Sequence, residues 1–183
     1  MKKILIWLTA LLVAAGLGIL APGPASAATS YCGLQWGSKA KADETPSAAS
    51  VTNIRTGQHY CFDRLVIDLK GHVAGYNVRY VGQVAQDGSG KRVALRGQAS
   101  LQVTVTAPSY NIDTGKATYS PANQAELSNV TGYQTFRQVA WAGSFEGYTT
   151  VGLGVRARLP FRVLTLDGPG SQSRLVVDVA HFW

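Results

Sequence analysis

Few residues in this chain of 183 have the types and spacing of a reaction centre, and none of the patterns closes. "DTG" at 113–115 has the triplet of an aspartic protease, whose mechanism needs a second aspartate to share one proton. No second copy exists, so the triplet reads as a turn. Ser144 in "GSFEG" sits one place early for a nucleophile elbow, and no helix follows it. "GLGVRA" at 152–157 has the outline of a dinucleotide turn, but that chemistry needs a helix N-terminus facing the pyrophosphate. Pro160 ends any such helix at once, and the glycines read as a strand bend or bulge. His59, His72 and His181 match no zinc-ligand spacing and read as surface histidines. No nucleophile, base and oxyanion site come together, so the expectation is no enzyme, no cofactor and no metal.

Binding chemistry is better represented. Arg156, Arg158 and Arg162 flank Pro160 and alternate with apolar residues, which predicts a shared face and an anion-binding patch. Arg64 and Arg174 come next, although the aspartates of their own motifs can neutralise them. Sugar rings stack on exposed aromatic faces, and guanidinium forks grip carboxylates. Of Trp36, Tyr60, Tyr110, Tyr133, Trp141, Tyr148 and Trp183, about two are expected to be exposed and the rest to belong to the core or its edge. Trp141 and Tyr148 join the arginines as candidate ligand residues. The formal net charge is +7, two units of which are Lys2 and Lys3, and the cations are spread rather than blocked. No nucleic-acid signature interleaves them with aromatics.

The elements that must position these residues are strands. Residues 1–27 read as a signal peptide: Lys2 and Lys3, an apolar run from Ile4 to Leu20, then "APGPASA" with cleavage before Ala28. The alternative is an uncleaved membrane anchor, against which Gly16, Gly18, Pro22 and Pro24 argue. Export makes the only two cysteines, Cys32 and Cys61, a disulfide that stabilises by on the order of 3 kcal/mol. It ties down an irregular segment, 28–50, whose "GSKAKADETPSAAS" reads as a mobile surface stretch. From Val51 to Trp183 the texture is period two in β-branched residues, the strand signature, with "QDGSGK" as a hairpin turn. "GYNVRYVGQV" sets Tyr76, Val78, Tyr80 and Val84 on one face. Residues 107–129 lack a clean period, with one short helical turn expected near Gln124–Leu127. One all-β domain follows, a sandwich or barrel.

Two strands stand out. "RLVIDL" at 64–69 is nearly respelled as "RLVVDV" at 174–179. In each, one face is wholly apolar (Leu65, Ile67, Leu69; Leu175, Val177, Val179) and the other bears an arginine and an aspartate. Paired antiparallel, Arg64 would face Asp178 and Asp68 would face Arg174, whereas a parallel pairing would set like against like. The alternative is a duplication that puts one copy in each of two half-domains.

"HYCFDRLVIDLKG", "GYNVRYV", "DGSG", "VALRG", "LQVTVTAP", "GSFEGYTTVGLGVRARLPFRVLTL" and "SRLVVDVAH", in that order, resemble the AMIN-like domain of exported actinobacterial proteins. The wider AMIN family carries a similar "P-x-R-L-V-V-D-L" strand near its end; here the proline sits farther off, at Pro169, with "GSQS" inserted. The resemblance implies a two-sheet β-sandwich whose relatives act as targeting modules in cell-wall amidases and secretin-type proteins. It implies peptidoglycan or another anionic wall polymer as partner, a secreted or wall-associated location, and a pseudo-symmetry that favours the half-domain account of the repeat. No amidase domain accompanies it. The expected function is a non-catalytic envelope-binding module, the alternative a protein-interaction module holding an envelope enzyme or assembly partner, with no stable membrane span once the leader is removed.

Overall fold

The computed structural model describes residues 31–72 and 75–183, so cleavage before Ala28 lies outside the described residues. Alternation sets the backbone nearly everywhere, and Gly/Asn/Asp turns punctuate it. Eleven strands result: β1 (Lys41–Asp43), β2 (Ser50–Gln58), β3 (Phe62–Lys70), β4 (Tyr76–Val81), β5 (Val84–Ala85), β6 (Arg92–Val93), β7 (Ala99–Val105), β8 (Phe136–Phe145), β9 (Tyr148–Val155), β10 (Phe161–Asp167) and β11 (Gln172–Ala180). They form a five-stranded antiparallel sheet, β1-β4-β7-β9-β8, a four-stranded one, β10-β11-β3-β2, and the small hairpin β5-β6.

The two large sheets bury their apolar faces against each other. Leu65, Ile67, Leu69, Leu175, Val177 and Val179 come from one, and Val78, Leu101, Val103, Val105, Val151, Leu153 and Val155 from the other. Each such side chain contributes about 1.5–3 kcal/mol by leaving water. A polar link also crosses between the sheets. Asp63 of β3 is wholly buried and accepts the backbone N–H groups of Thr135 and Phe136, at 2.6 and 2.9 Å, where β8 begins. His181, just past β11, brings Nε2 within 3.0 Å of the same carboxylate and is itself wholly buried. The expectation of a surface histidine is therefore wrong at this position, because a buried carboxylate needs a partner there.

The repeated strands pair directly: β11 lies antiparallel to β3, with Arg64 across from Asp178, Val66 from Val176 and Asp68 from Arg174. The half-domain account of the repeat is overturned, since both copies sit side by side in one sheet. Opposite charges across the ladder are the physical reason that this register is favoured.

Three further expectations change. The segment 28–50 is not wholly irregular, because Lys41–Asp43 pairs with β4 and forms the edge of the five-stranded sheet. No helical turn forms at Gln124–Leu127; this stretch runs along β8 instead, with the Trp141 N–H donating to Gln124 O and the Leu127 N–H to Val139 O. It covers the β8 edge, which would otherwise be open to pairing with another chain. "QDGSGK" does turn a hairpin, but Val84 belongs to β5 and leaves the inner face.

Residues 82–98 fold back over the outer face of the five-stranded sheet, which explains the glycines of "GLGVRA". Gly152 and Gly154 pair regularly with Gln102 and Ser100 of β7, while on the other side β8 bulges between Phe136 and Gln138, against Val155 and Gly154. A Cβ on Gly152 would meet Leu95 and Val84 at 3.1 and 3.3 Å, and one on Gly154 would overlap the carbonyl of Arg96. Close approach of a second layer is what requires glycine here. The substitution Gly154→Ala is expected to destabilise the protein by about 1–3 kcal/mol through overpacking, read as a lowered thermal midpoint. A midpoint unchanged from wild type would contradict the account.

Candidate functional site

The four-stranded sheet carries no second strand layer among the described residues, and its outer face gathers the arginines. Its strands place side chains in rows: Arg162, Asp178 and Arg64 lie side by side, then Leu164, Val176 and Val66, then Leu166, Arg174 and Asp68. Alternation carries every second residue of β3, β10 and β11 to this face.

Asp178 has no solvent exposure and sits between two cations. Arg64 donates through Nε and a terminal nitrogen at 2.6 and 2.9 Å to its two carboxylate oxygens, and Arg162 donates through Nε at 2.8 Å. The hydrogen bond to Asp178 raises the Arg64 pKa above its ordinary value. Asp68, farther along, is gripped by Arg55 of β2 through two bonds of 2.8 and 3.0 Å, with Asn53 at 3.3 Å. That leaves Arg174, directly across from Asp68 in the ladder, with no ion pair among the described residues; its guanidinium donates to Asp167 O at 3.2 Å. Four arginines thus share this face with two carboxylates.

An aromatic rim borders the first row. The Arg162 guanidinium lies 4.4 Å from the Trp36 ring centre and 5.3 Å from that of Phe62, and Arg64 lies 5.2 Å from Phe62. His59 stacks on Phe62 at 4.6 Å, and Trp36 meets Phe62 edge to face at 5.6 Å. Trp36 is held over the sheet by two ties: Gly37 O accepts the Phe161 N–H, and the Cys32–Cys61 disulfide joins its segment to the β2–β3 turn. Two shallow grooves open on this face, of ≈ 340 and ≈ 240 Å³, and both are bordered by Arg55 and Arg174. Such a surface can accept carboxylate or phosphate groups on guanidinium forks and a sugar ring against the rim.

The expected residues distribute unevenly. Arg64, Arg162 and Arg174 meet on this face. Arg156 and Arg158 lie outside the strands, in the bend between β9 and β10, and engage other partners: Arg156 donates to His181 O, Arg158 to Ser38. Pro160 and the bend divide what alternation alone would have kept on one face. Trp141 packs at the core edge against Tyr119, with ring centres 5.6 Å apart. Tyr148 is exposed but borders a different groove, with Asp43, Glu44 and Tyr76. Three of the seven aromatics weighed, Tyr60, Tyr148 and Trp183, are exposed rather than two. Arg55, His59 and Phe62 were not singled out as binding residues. The alternation of β2 would have suggested Arg55, except that a bulge between Val51 and Asn53 shifts its register.

The family model of the AMIN-like domain matches residues 49–181 of this chain. None of the curated proteins matches it. The matched span contains β2, β3, β10 and β11, and hence every arginine of the candidate face. Trp36 and Cys32 lie before it.

Asp178→Asn keeps the shape but removes the charge that two guanidinium groups converge on. It is expected to cost about 3–5 kcal/mol, because it leaves half-buried cations without a counter-charge. Added salt should restore part of the lost stability by screening Arg64 from Arg162. Equilibrium denaturation at two ionic strengths checks both; a variant as stable as wild type would contradict the reading.

Proposed function

This chain belongs to the AMIN-like domain family, and from that membership we propose that it is a non-catalytic binding module which holds anionic polymer of the cell wall, peptidoglycan among them, on the outer face of its four-stranded sheet. The matched domain and the disulfide both suggest an extracytoplasmic location, where such polymers are the abundant anions. The observation that carries the reading is the charge imbalance of the face: Arg55, Arg64, Arg162 and Arg174 against Asp68 and Asp178. Two carboxylates are enough to hold the arginines in place and too few to neutralise them. Arg174, flanked by both grooves, supplies the uncommitted charge, while Trp36 and Phe62 offer ring surface one row away.

The alternative, docking of an envelope protein, has one feature in its favour. The second half of β10 is an exposed sheet edge, with Leu166 open to water beside Thr165 and Asp167. The arginine face is favoured because its charge suits a polymer of repeating anions better than a hydrophobic partner strand.

Retention of the exported protein on purified wall sacculi tests the proposal. Binding at low ionic strength is expected to fall steadily as salt is added, and Arg174→Gln is expected to weaken it about tenfold, the loss of charge-assisted hydrogen bonds. Because Arg174 makes no ion pair among the described residues, that variant should keep wild-type stability. No retention at low salt, or retention indifferent to Arg174, would overturn the reading.

A further inference from the structure

One end of the sandwich differs chemically from the other. At it β3 and β10 begin and β9 and β11 finish, and the chain enters there, with Cys32 clamped to Cys61 beside Tyr60. We propose that this end docks onto the anionic surface of a lipid bilayer, a contact separate from the wall-binding face.

Charge segregation is the first support. All ten carboxylates lie within the described residues. Of those at this end, Asp63 and Asp178 are wholly buried, and Glu126 is paired with Arg96 beside the start of β8. The exposed ones, Asp43, Glu44, Asp113, Glu146 and Asp167, gather at the opposite end or its loops. Apart from the arginines of the wall-binding face, this end presents Arg156 and Arg158. Arg156 and Arg158 make no ion pair among the described residues; they lie 5.3 and 5.2 Å from the rings of Phe182 and Tyr80.

The second support is the kind of apolar surface shown. Tyr60 is 83% exposed, Trp183 68% and Phe182 48%. They project from a hairpin tip and from the residues after β11, and none of them lines the two grooves of the arginine face. A sugar ring needs an aromatic platform within a groove. Protruding rings among arginines suit the headgroup region, where aromatic residues settle and guanidinium groups meet lipid phosphates. Trp183 is oriented by its Nε1–H, which donates to Arg158 O at 3.2 Å, so ring and cation are presented together.

Sedimentation of the exported protein with phosphatidylcholine vesicles, with and without phosphatidylglycerol, tests the proposal. Binding is expected only to the anionic vesicles. Arg156→Gln combined with Arg158→Gln should weaken it more than about tenfold, the scale set by two basic groups at such a surface. Trp183→Ser with Tyr60→Ser, both exposed positions, should weaken it severalfold, while Lys116→Gln at the far end should leave it unchanged. Equal binding to both vesicle types, no binding, or binding indifferent to the paired variants would overturn the proposal. A dimer in sedimentation velocity that Trp183→Ser dissolves would assign this end to a second copy instead.

Discussion

A carboxylate with no access to water fixes more of this molecule than any other single group. Asp178 stands on the outward side of a sheet, where an aspartate would ordinarily be solvated, yet it has none of that solvation. An isolated buried charge is too costly to persist, so cations must be brought to it from both neighbouring strands. Arg64 and Arg162 meet that requirement only if β11 lies between β3 and β10, which is the order observed. The guanidinium groups then need their own cover, and Trp36 and Phe62 provide it. The disulfide in turn keeps the Trp36 segment in place.

The same arrangement suits the proposed binding face. Arginines held by a buried carboxylate have little rotamer freedom left to lose, so contact with a ligand costs less ordering. The two sheets are not equivalent in this respect. The outer face of the five-stranded sheet lies under residues 82–98, with Gly152 and Gly154 letting that layer approach to backbone contact. The four-stranded sheet carries no such strand layer among the described residues.

Much of this was legible in the sequence, for reasons that can be located. The inward faces of "RLVIDL" and "RLVVDV" follow from period two, and the structure buries Leu65, Ile67, Leu175 and Val177 as alternation requires. The complementary register of the two motifs was also visible, although family pseudo-symmetry pointed toward separate sheets; ladder electrostatics was the better guide. The partner of Asp68 was not legible. Arg174 faces it in the ladder, but Arg55 reaches it from β2 past a bulge that no local pattern announces. The burial of His181, the run of 124–127 along β8 and the stacking of Trp36 on Arg162 are contacts between distant segments. Local alternation carries no information about them. The bend that separates Arg156 and Arg158 from Arg162 was foreshadowed by Pro160, but its direction is set by packing.

The central claim is that the arginines around Asp178 and Arg174 form the surface at which wall polymer is met. Side-chain Nε–Hε resonances of the protein, followed by NMR as soluble wall fragments are added, address it most directly. The account predicts that the signals of Arg64, Arg162 and Arg174, with the Trp36 indole, shift together and saturate together, while those of Arg79 on the opposite sheet stay still. Shifts confined to Arg79 and its neighbours, with the Arg64, Arg162 and Arg174 signals unmoved, would contradict it.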